Sequence, residues 1–360
     1  AYTFAKTLQG ELNVPVGIIN TAIGGTYIEG WLSRKAIEGN DTVKGLLSQY
    51  GSPYGSKWYY DVEELSQNAG AMSTLYNGKI GPLEGMNVAG VIWYQGESNE
   101  WASEIYGKEL ELLKRSWSKV FGYENEDMPF IFTQLAPYEV GTSEQMVKSY
   151  MALYMEQAWE STKDKNTAML TLYDLPLEHM KDGLSSHPIH PRTKTPVAKR
   201  FALAAMNMVY GGRDEYTAPV YKEMDIRDNA IYVTLDRVGN NGLKTTDGSV
   251  NIHGFTIAGA DGVFVNAKAE IVDKDTVKVW SDYILNPKNV IYAFSDMNQG
   301  ANLCSSIDIP AAPFRTVALN DTVGNPNAAL KYFVAQDWMY ADKDVWVCTQ
   351  TGDDLADYYK

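Results

Sequence analysis

The sequence predicts a three-layer α/β domain with a parallel sheet, followed by a smaller all-β domain. The length of 360 residues exceeds that of one typical domain. Over residues 1–212, short apolar runs alternate with longer segments of helical periodicity, as in βαβ units. From residue 213 to about 316, short alternating strands are separated by Gly, Asn and Asp turns. Residues 317–360 match neither pattern and are left unassigned.

The elements of the α/β part follow from apolar spacing. Apolar, β-branched runs predict strands, and apolar residues three or four apart predict helices. The segment Ile105–Phe121 is the clearest helix, with Leu110, Leu113, Trp117 and Val120 on one side. In chain order, the predicted elements are a helix over Phe4–Leu12, a strand over Val16–Asn20, a helix in the second half of Lys57–Leu83, a strand over Val88–Tyr94, the helix Ile105–Phe121, a strand over Phe130–Leu135, a helix over Val147–Thr162, a strand over Thr167–Leu172, and a helix over Pro196–Tyr210 that Gly211-Gly212 ends.

The β domain is predicted from three strand-like runs and the turns between them. The strand-like runs are Ile231–Leu235, Thr276–Trp280 and Asn289–Ala293. Turn sequences lie at Asn240-Asn241-Gly242, Asp247-Gly248 and Asp261-Gly262.

Composition excludes several classes of partner. The net charge of −14 argues against nucleic acid and against an anionic membrane surface. No apolar run approaches the ~20 residues of a membrane span, and the first ten residues do not read as a signal peptide. Cys304 and Cys348 form either one bridge or two free thiols. Four histidines without nearby cysteines argue against a structural zinc site, so no cofactor is predicted.

The most informative stretch is the decapeptide over residues 90–99, Gly-Val-Ile-Trp-Tyr-Gln-Gly-Glu-Ser-Asn. An apolar run stops at a cluster of polar groups. A buried parallel strand has this pattern when it delivers residues to the carboxyl edge of a sheet, where ligands bind. The simpler interpretation is a strand followed by an ordinary turn.

Further segments, in one order along the chain, carry a family resemblance. In the α/β part they are Pro15–Thr26 with Ile28–Trp31, Leu75–Leu83 leading into the decapeptide, Gln134–Tyr138 and Ile189–Lys194. In the β part they are Ala218–Tyr221, Gly254–Gly259, Ala301–Leu303 and Pro313–Thr316. Together they resemble the sialate O-acetylesterase family of the SGNH-hydrolase superfamily of serine esterases, from residue 1 to about 316. The resemblance implies a flavodoxin-like α/β domain.

The resemblance also implies the removal of acetyl groups from sugar hydroxyls through an acyl-enzyme. His190 matches the general base, and Gly25 matches the glycine whose backbone N–H serves the oxyanion hole. Gln95 takes the position of an oxyanion-hole amide, whose N–H₂ donates to the anion. Glu97 is expected to hold the loop or to pair with an arginine, and Ser98 to play a supporting role. Gly25, Gln95 and His190 should converge at the carboxyl edge of the sheet.

The sequence departs from the family pattern in two ways. The family nucleophile lies in a Gly-Gln-Ser-Asn-Met type segment that has no counterpart here, so we expect it upstream of residue 1 or on another chain. Family members often carry Asp two residues before the histidine, where this chain has Pro188. Asp174 and Asp182 are candidates to orient His190, and a dyad without an acid is the alternative. The full-length protein is expected to be secreted or periplasmic.

Other functions remain open at the sequence level. His187 and His190 with a nearby aspartate could bind a metal, although further ligands are not evident. Nine Trp and 24 Tyr could line a carbohydrate-binding surface, which would make the chain a non-catalytic glycan-binding module. Acetylated hemicellulose, as for an acetyl xylan esterase, is an alternative substrate to acetylated sialic acid. The expected partner is an acetylated carbohydrate, and a bare sheet edge predicts self-association.

Overall fold

The computed structural model describes residues 1–50, 71–123, 125–138, 144–175, 189–191, 193–212, 215–294 and 300–317. The chain divides into two compact units, each discontinuous in sequence. The first comprises Ala1–Leu135, Ala152–Leu170 and Thr193–Arg213, and the second Ala136–Met151, Thr171–Arg192 and Asp214–Lys360. The domain boundaries predicted at 212 and 316 stay predictions.

Apart from residues 16–20, the predicted α/β elements within the described residues occur in the predicted order, and two helices between residues 34 and 50 were not predicted. The helices are α1 (Tyr2–Leu12), α2 (Arg34–Glu38), α3 (Asp41–Tyr50), α4 (Tyr106–Val120), α5 (Glu144–Ser161) and α6 (Thr195–Val209), and short 3-10 or π turns cover Ile28–Trp31, Tyr76–Ile80, Gly81–Leu83 and Glu97–Ile105. The strands β1 (Val91–Trp93), β2 (Phe130–Thr133) and β3 (Thr167–Leu170) form a parallel sheet in the order β1-β2-β3. The predicted strand over Val88–Tyr94 is therefore shorter than expected. Part of the predicted helix in Lys57–Leu83 lies outside the described residues.

One predicted strand is wrong. Residues Val16–Asn20 form no strand, and Ile18 and Ile19 are exposed. Together with β1 they line an open cavity of about 1040 Å³. A strand exists only when a neighbouring strand takes up its backbone hydrogen bonds, and the cavity occupies that place. Within the described part of the chain, the sheet therefore ends at an edge on the β1 side, where Ile92 is exposed.

Helix α4 shows the predicted amphipathic packing. Its five apolar residues from Leu110 to Val120 are all buried, Leu112 as well as the four on the predicted face. The indole N–H of Trp117 donates to the backbone carbonyl of Trp31 over 3.1 Å. The rings of Trp31, Trp93 and Trp117 meet edge to face, with centroids 5.7–6.4 Å apart. This cluster fixes the 28–31 turn against β1 and α4.

The second unit contains the antiparallel sheets. Its strands are β4 (Val220–Arg227), β5 (Ala230–Asp236), β6 (Leu243–Thr245), β7 (Phe255–Ala258), β8 (Phe264–Asn266), β9 (Lys268–Asp273), β10 (Thr276–Trp280), β11 (Asn289–Tyr292), β12 (Leu303–Ser305) and β13 (Phe314–Arg315). They form the sheets β4-β5-β10-β9, β13-β11-β7-β8 and β12-β6. Phe255 and Tyr292 pack with ring centroids 4.6 Å apart, and Tyr221 and Phe314 with centroids 4.9 Å apart. The predicted fold class, a parallel α/β sheet followed by a β domain, is confirmed.

The structure tests two further expectations, on cysteine pairing and on membrane spans, only in part. Cys304 is buried, whereas Cys348 lies outside the described residues, so their pairing stays open. None of the described helices combines the length and the apolarity needed to span a bilayer.

Candidate active site

Gln95 follows β1 at its carboxyl end, and its side-chain amide is fully engaged within the first unit. The amide nitrogen donates to the backbone carbonyl of Thr26 over 3.0 Å and to Oδ1 of Asn99 over 2.7 Å. The Tyr106 hydroxyl lies 2.8 Å from the Gln95 backbone oxygen and 3.0 Å from its side-chain oxygen, and the two oxygens share its single O–H donor. Both N–H groups of the Gln95 amide are therefore used inside the protein.

Gly96 allows the chain to turn sharply after Gln95. Its φ of 148° is one that residues with a side chain rarely adopt. An added Cβ would lie 3.1 Å from Cδ2 of Leu135 and 3.3 Å from the side-chain nitrogen of Gln157. The glycine thus lets the chain turn from β1 into the 97–105 helix in a crowded place.

The Gly24-Gly25-Thr26 turn carries the Thr26 carbonyl that accepts the hydrogen bond from the Gln95 amide. Gly25 is exposed and has a φ of 70°, with no heavy atom within 4 Å of the position of a Cβ. The Thr26 hydroxyl donates to the carbonyl of Ile23 over 2.9 Å and accepts the indole N–H of Trp31 over 3.0 Å. The turn is therefore anchored at Thr26 and open to a ligand at Gly25.

Asn99 connects this turn to a buried carboxyl pair. Its side-chain oxygen accepts the backbone N–H of Ile28 over 3.0 Å as well as the Gln95 amide. Its nitrogen donates to Glu29 over 2.9 Å. Glu29 in turn lies within hydrogen-bonding reach of Glu109 of α4, a bond that requires a proton on one of the two carboxyl groups, and Asn99, Glu29 and Glu109 are all fully buried.

Burial sets the protonation of the two carboxyl groups. It raises the pKa of Glu29 from 4.5 to about 7, partly offset by the hydrogen bonds to Asn99 and Glu109. Burial also raises the pKa of Glu109, and the nearby Glu29 raises it further. Two carboxylates in contact cannot both ionise at low cost, so the pair holds at least one proton at neutral pH.

Glu97 faces a lysine rather than an arginine. Partial burial raises the pKa of its carboxyl group, and the charge of Lys194 opposes this effect. The Lys194 ammonium lies 5.4 Å from the ring centroid of Tyr94. Glu97 and Lys194 therefore flank the residue before Gln95, and Ser98 beside them is half-buried.

His190 is exposed and belongs to the second unit, whereas Gly25 and Gln95 belong to the first. Their convergence stays a prediction. Of the two acids considered for His190, Asp174 is half-buried in the second unit and Asp182 lies outside the described residues, as do His187 and Pro188. Within the part of the chain that the structure describes, no cluster of three His, Cys, Asp or Glu residues could hold a metal ion.

Sequence reasoning missed Glu29, Asn99 and Glu109 as parts of this site. A signal was present in each case. Glu29 lies between apolar residues in a segment that carries the family resemblance, and Asn99 ends the decapeptide. Glu109 lies four residues before Leu113, on the apolar face of an amphipathic helix. A carboxyl group at such a position is a candidate for burial in a protonated form.

The comparisons with known proteins place the chain in a family. Residues 1–206 match the family model described as carbohydrate esterase, sialic acid-specific acetylesterase. The chain belongs to this family. The match covers all three described strands of the parallel sheet. It also covers the Gly25 turn, Gln95 and His190.

Named members and a solved structure agree with the sialic acid-specific acetylesterase family. The chain is 28% identical to sialate O-acetylesterase of Mus musculus over 254 residues, which cover 62% of this chain and 45% of the mouse protein. It is 29% identical to the Homo sapiens protein of that name over 241 residues, which cover 62% of this chain and 42% of the human protein. The chain thus spans about half the length of these curated relatives. The crystal structure of a carbohydrate acetylesterase from Xanthomonas citri matches with a TM-score of 0.70 and 30% identity, covering 88% of this chain and 64% of that one.

Proposed function

We propose that this chain takes part in the hydrolysis of O-acetyl esters on carbohydrates, with acetylated sialic acid as the substrate class. The family match over residues 1–206 carries this proposal. A serine on a segment outside residues 1–360 attacks the acetyl carbonyl, and His190 removes its proton. The C–O bond to the sugar then breaks, and His190 gives the proton to the leaving sugar oxygen. Water, deprotonated by His190, attacks the acetyl-serine and releases acetate and the free serine. The Gly25 N–H stabilises the oxyanion that forms.

The geometry at Gly25 supports the oxyanion role. The turn lies at the carboxyl end of β1 through its bond to Gln95, where ligands bind in open α/β sheets. The space beside Gly25 is open, and the Thr26 anchors hold the turn in one conformation. A backbone N–H held in this way needs no rearrangement when negative charge develops.

Chain connectivity supports the role of His190. The residue precedes Lys194 by four positions, and Lys194 lies over the ring of Tyr94, next to Gln95. A histidine in this stretch needs no orienting aspartate to accept a proton, because the third member of a triad orients and stabilises rather than transfers the proton.

Acetate release tests the proposal. The 360-residue chain and a version extended upstream through a Gly-Gln-Ser-Asn-Met type segment are incubated with 9-O-acetylated sialic acid and, in parallel, with acetylated xylan. We expect little or no acetate from the shorter chain and rapid release from the extended one, with a higher kcat/KM on the sialic acid ester. Full activity of the short chain that Ser98→Ala abolishes would make Ser98 the nucleophile and disprove the assignment. A higher kcat/KM on acetylated xylan would make acetylated hemicellulose the substrate class instead of acetylated sialic acid.

A glycan-binding module is the second candidate, and one observation favours it. The half-buried rings of Tyr27 and Trp101 meet edge to face with centroids 6.4 Å apart, one residue beyond the Thr26 anchor. Such aromatic side chains are common in the walls of ligand sites. This candidate predicts that the extended chain binds acetylated glycans without releasing acetate, and that Trp101→Ala weakens binding whereas His190→Ala does not.

Export of the full-length protein, to the periplasm or out of the cell, is also part of the proposal. Cell fractionation with an antibody against residues 1–360 tests it. Recovery in the cytoplasmic fraction alone would contradict it.

A further inference from the structure

The Gln95 amide is so placed that it serves the protein rather than a ligand. A glutamine side chain has two N–H donors, and here both are taken by Thr26 and Asn99. Its oxygen is taken by the Tyr106 hydroxyl. A ligand oxyanion could accept from Gln95 only after one of these bonds had been broken.

We infer that Gln95 and Asn99 are positioning residues that fix the Gly25 turn from beneath, with the carboxyl pair Glu29–Glu109 as their support. This inference rests on the proposed function, since it gives the Gly25 N–H the oxyanion contact and removes Gln95 from contact with the substrate.

The orientation of Asn99 is determined by its neighbours. Its side-chain oxygen receives two donors, the Ile28 N–H and the Gln95 amide, and its nitrogen faces Glu29. A flipped amide would place its N–H₂ group against both donors, so only one orientation satisfies all the partners. Asn99 thereby links the chain before the decapeptide to the chain within it, across a sequence separation of 70 residues.

The carboxyl pair completes the support. Glu29 and Glu109 have no solvent exposure, and Glu29 belongs to the 28–31 turn directly after Thr26 and Tyr27. Because Glu29 accepts from Asn99 while hydrogen-bonded to Glu109 of α4, the turn is tied to a long helix. Oε1 of Glu29 and both carboxyl oxygens of Glu109 receive no donor from any other described group, so a proton shared between the two carboxyl groups is what satisfies them.

The consequence concerns the oxyanion hole. Gln95 holds the Thr26 carbonyl, one residue after Gly25, and Trp31 holds the Thr26 hydroxyl. The Thr26 end of the turn is therefore fixed before any substrate binds, and we expect this anchor to set the direction of the Gly25 N–H. Preorganised donors of this kind are the ones that stabilise a transition state most effectively.

The test observes the turn without substrate, in the ¹⁵N-labelled 360-residue chain. The probes are the backbone amide of Gly25 and the indole N–H of Trp31, assigned with a Trp31→Phe variant. Gln95→Glu keeps the shape of the side chain but, when ionised, only accepts hydrogen bonds. We expect the ¹⁵N order parameter of the Gly25 amide to fall, because the turn loses an anchor, and the Trp31 indole signal to shift. Gln9→Glu, an exposed residue of α1, adds the same charge and should change neither probe.

A second variant keeps the inference testable if Gln95→Glu does not fold. Tyr106→Phe removes the hydroxyl that orients Gln95 and keeps the buried ring, so it should move both probes in the same direction by less. If both probes stay unchanged in Gln95→Glu, or in Tyr106→Phe where Gln95→Glu does not fold, the inference is wrong. Loss of acetate release in the extended chain with an unmoved turn would show direct donation by Gln95. If the turn moves in Gln95→Glu but the extended wild-type chain releases no acetate, the proposed function is refuted and the inference stays intact.

Discussion

Individual residues of this site show how burial changes the chemistry of a carboxyl group. Glu29 and Glu109 are fully buried next to each other, and burial is the first cause of the raised pKa of each. An ionised pair would leave uncompensated charge in a medium of low dielectric. The pair therefore stays at least half protonated at neutral pH, where it can both donate and accept hydrogen bonds.

This protonation makes the stability of the protein depend on pH. The pKa of Glu29 is about 7 in the folded chain against 4.5 for an unburied glutamate. The folded state therefore binds more protons between these values, and the stability that protonated Glu29 contributes is fully present below about pH 4.5 and lost as the pH rises through 7. We expect Glu29→Gln to flatten this decline, which corresponds to about 1.4 kcal/mol for each pKa unit of difference.

Urea unfolding at several pH values between 5 and 8 measures the effect. Glu11→Gln, at an exposed position of α1, is the matched control and should leave the slope unchanged. An identical slope in the wild type and in Glu29→Gln would show that Glu29 does not titrate in this range.

Among the secondary-structure elements, α4 and α5 are joined to β3 by a buried cation. Lys114 of α4 lies 2.6 Å from the carboxylate of Glu160 on α5 and donates to the Thr167 hydroxyl at the start of β3 over 2.9 Å. The side chain of Glu160 is fully buried and also pairs with Lys163 over 2.8 Å, so removing Lys114 leaves this buried carboxylate with one of its two cations.

We expect Lys114→Ala to destabilise the protein by less than the roughly 3–5 kcal/mol of a fully broken buried ion pair, because Lys163 still pairs with Glu160, but by more than the loss of an exposed pair. Exposed ion pairs contribute about 0–1 kcal/mol, and Lys119→Ala on the same helix, with a side chain 70% exposed, is the control of that class. Thermal and urea unfolding of both variants test the difference. Equal losses in the two variants would contradict the role assigned to Lys114.

The edge strand β1 is the element most prone to pair with another chain. Among the strands that the structure describes, it pairs with β2 alone, and Ile92 is exposed beside the cavity lined by residues 16–23. Unpaired edges with apolar side chains are templates for strand addition. We propose that this edge mediates self-association of the 360-residue chain.

A charge on the edge should prevent this pairing. We expect Ile92→Lys to shift the sedimentation profile of the chain towards the monomer, because a buried lysine in a new strand pair would be costly. Val250→Lys, at a loop position 90% exposed in the second unit, adds the same charge and should have no effect. Sedimentation profiles that stay equal for Ile92→Lys and the wild type would exclude β1 as the interface.

For the molecule as a whole, the proposed reaction depends on a histidine in the second unit. We expect His190→Ala to lower kcat of the extended, active form by at least about 10³, as for the loss of a triad member, with little change in KM. The matched control is His253→Ala, a half-buried histidine of the second unit outside the family match. Steady-state acetate release measures both. A normal kcat in His190→Ala would remove His190 from the mechanism.

The sequence by itself determined the elements whose signals are local. The spacing of apolar residues in α4 and the alternation in β5 and β10 are properties of short windows, and the structure has these elements within one or two residues of their predicted ends. The family, and with it Gly25, Gln95 and His190 as site candidates, followed from short segments in one order along the chain.

Tertiary structure alone decided which of these residues meet and what they do. Residues Val16–Asn20 have the composition of a strand, yet a strand is defined by its hydrogen-bonded neighbour, and a cavity lies there instead. Asn99 and Glu29 are 70 residues apart in sequence, and no local pattern predicts their bond. Burial among distant side chains, rather than residue type, raises the pKa values of Glu29 and Glu109 and occupies both donors of Gln95.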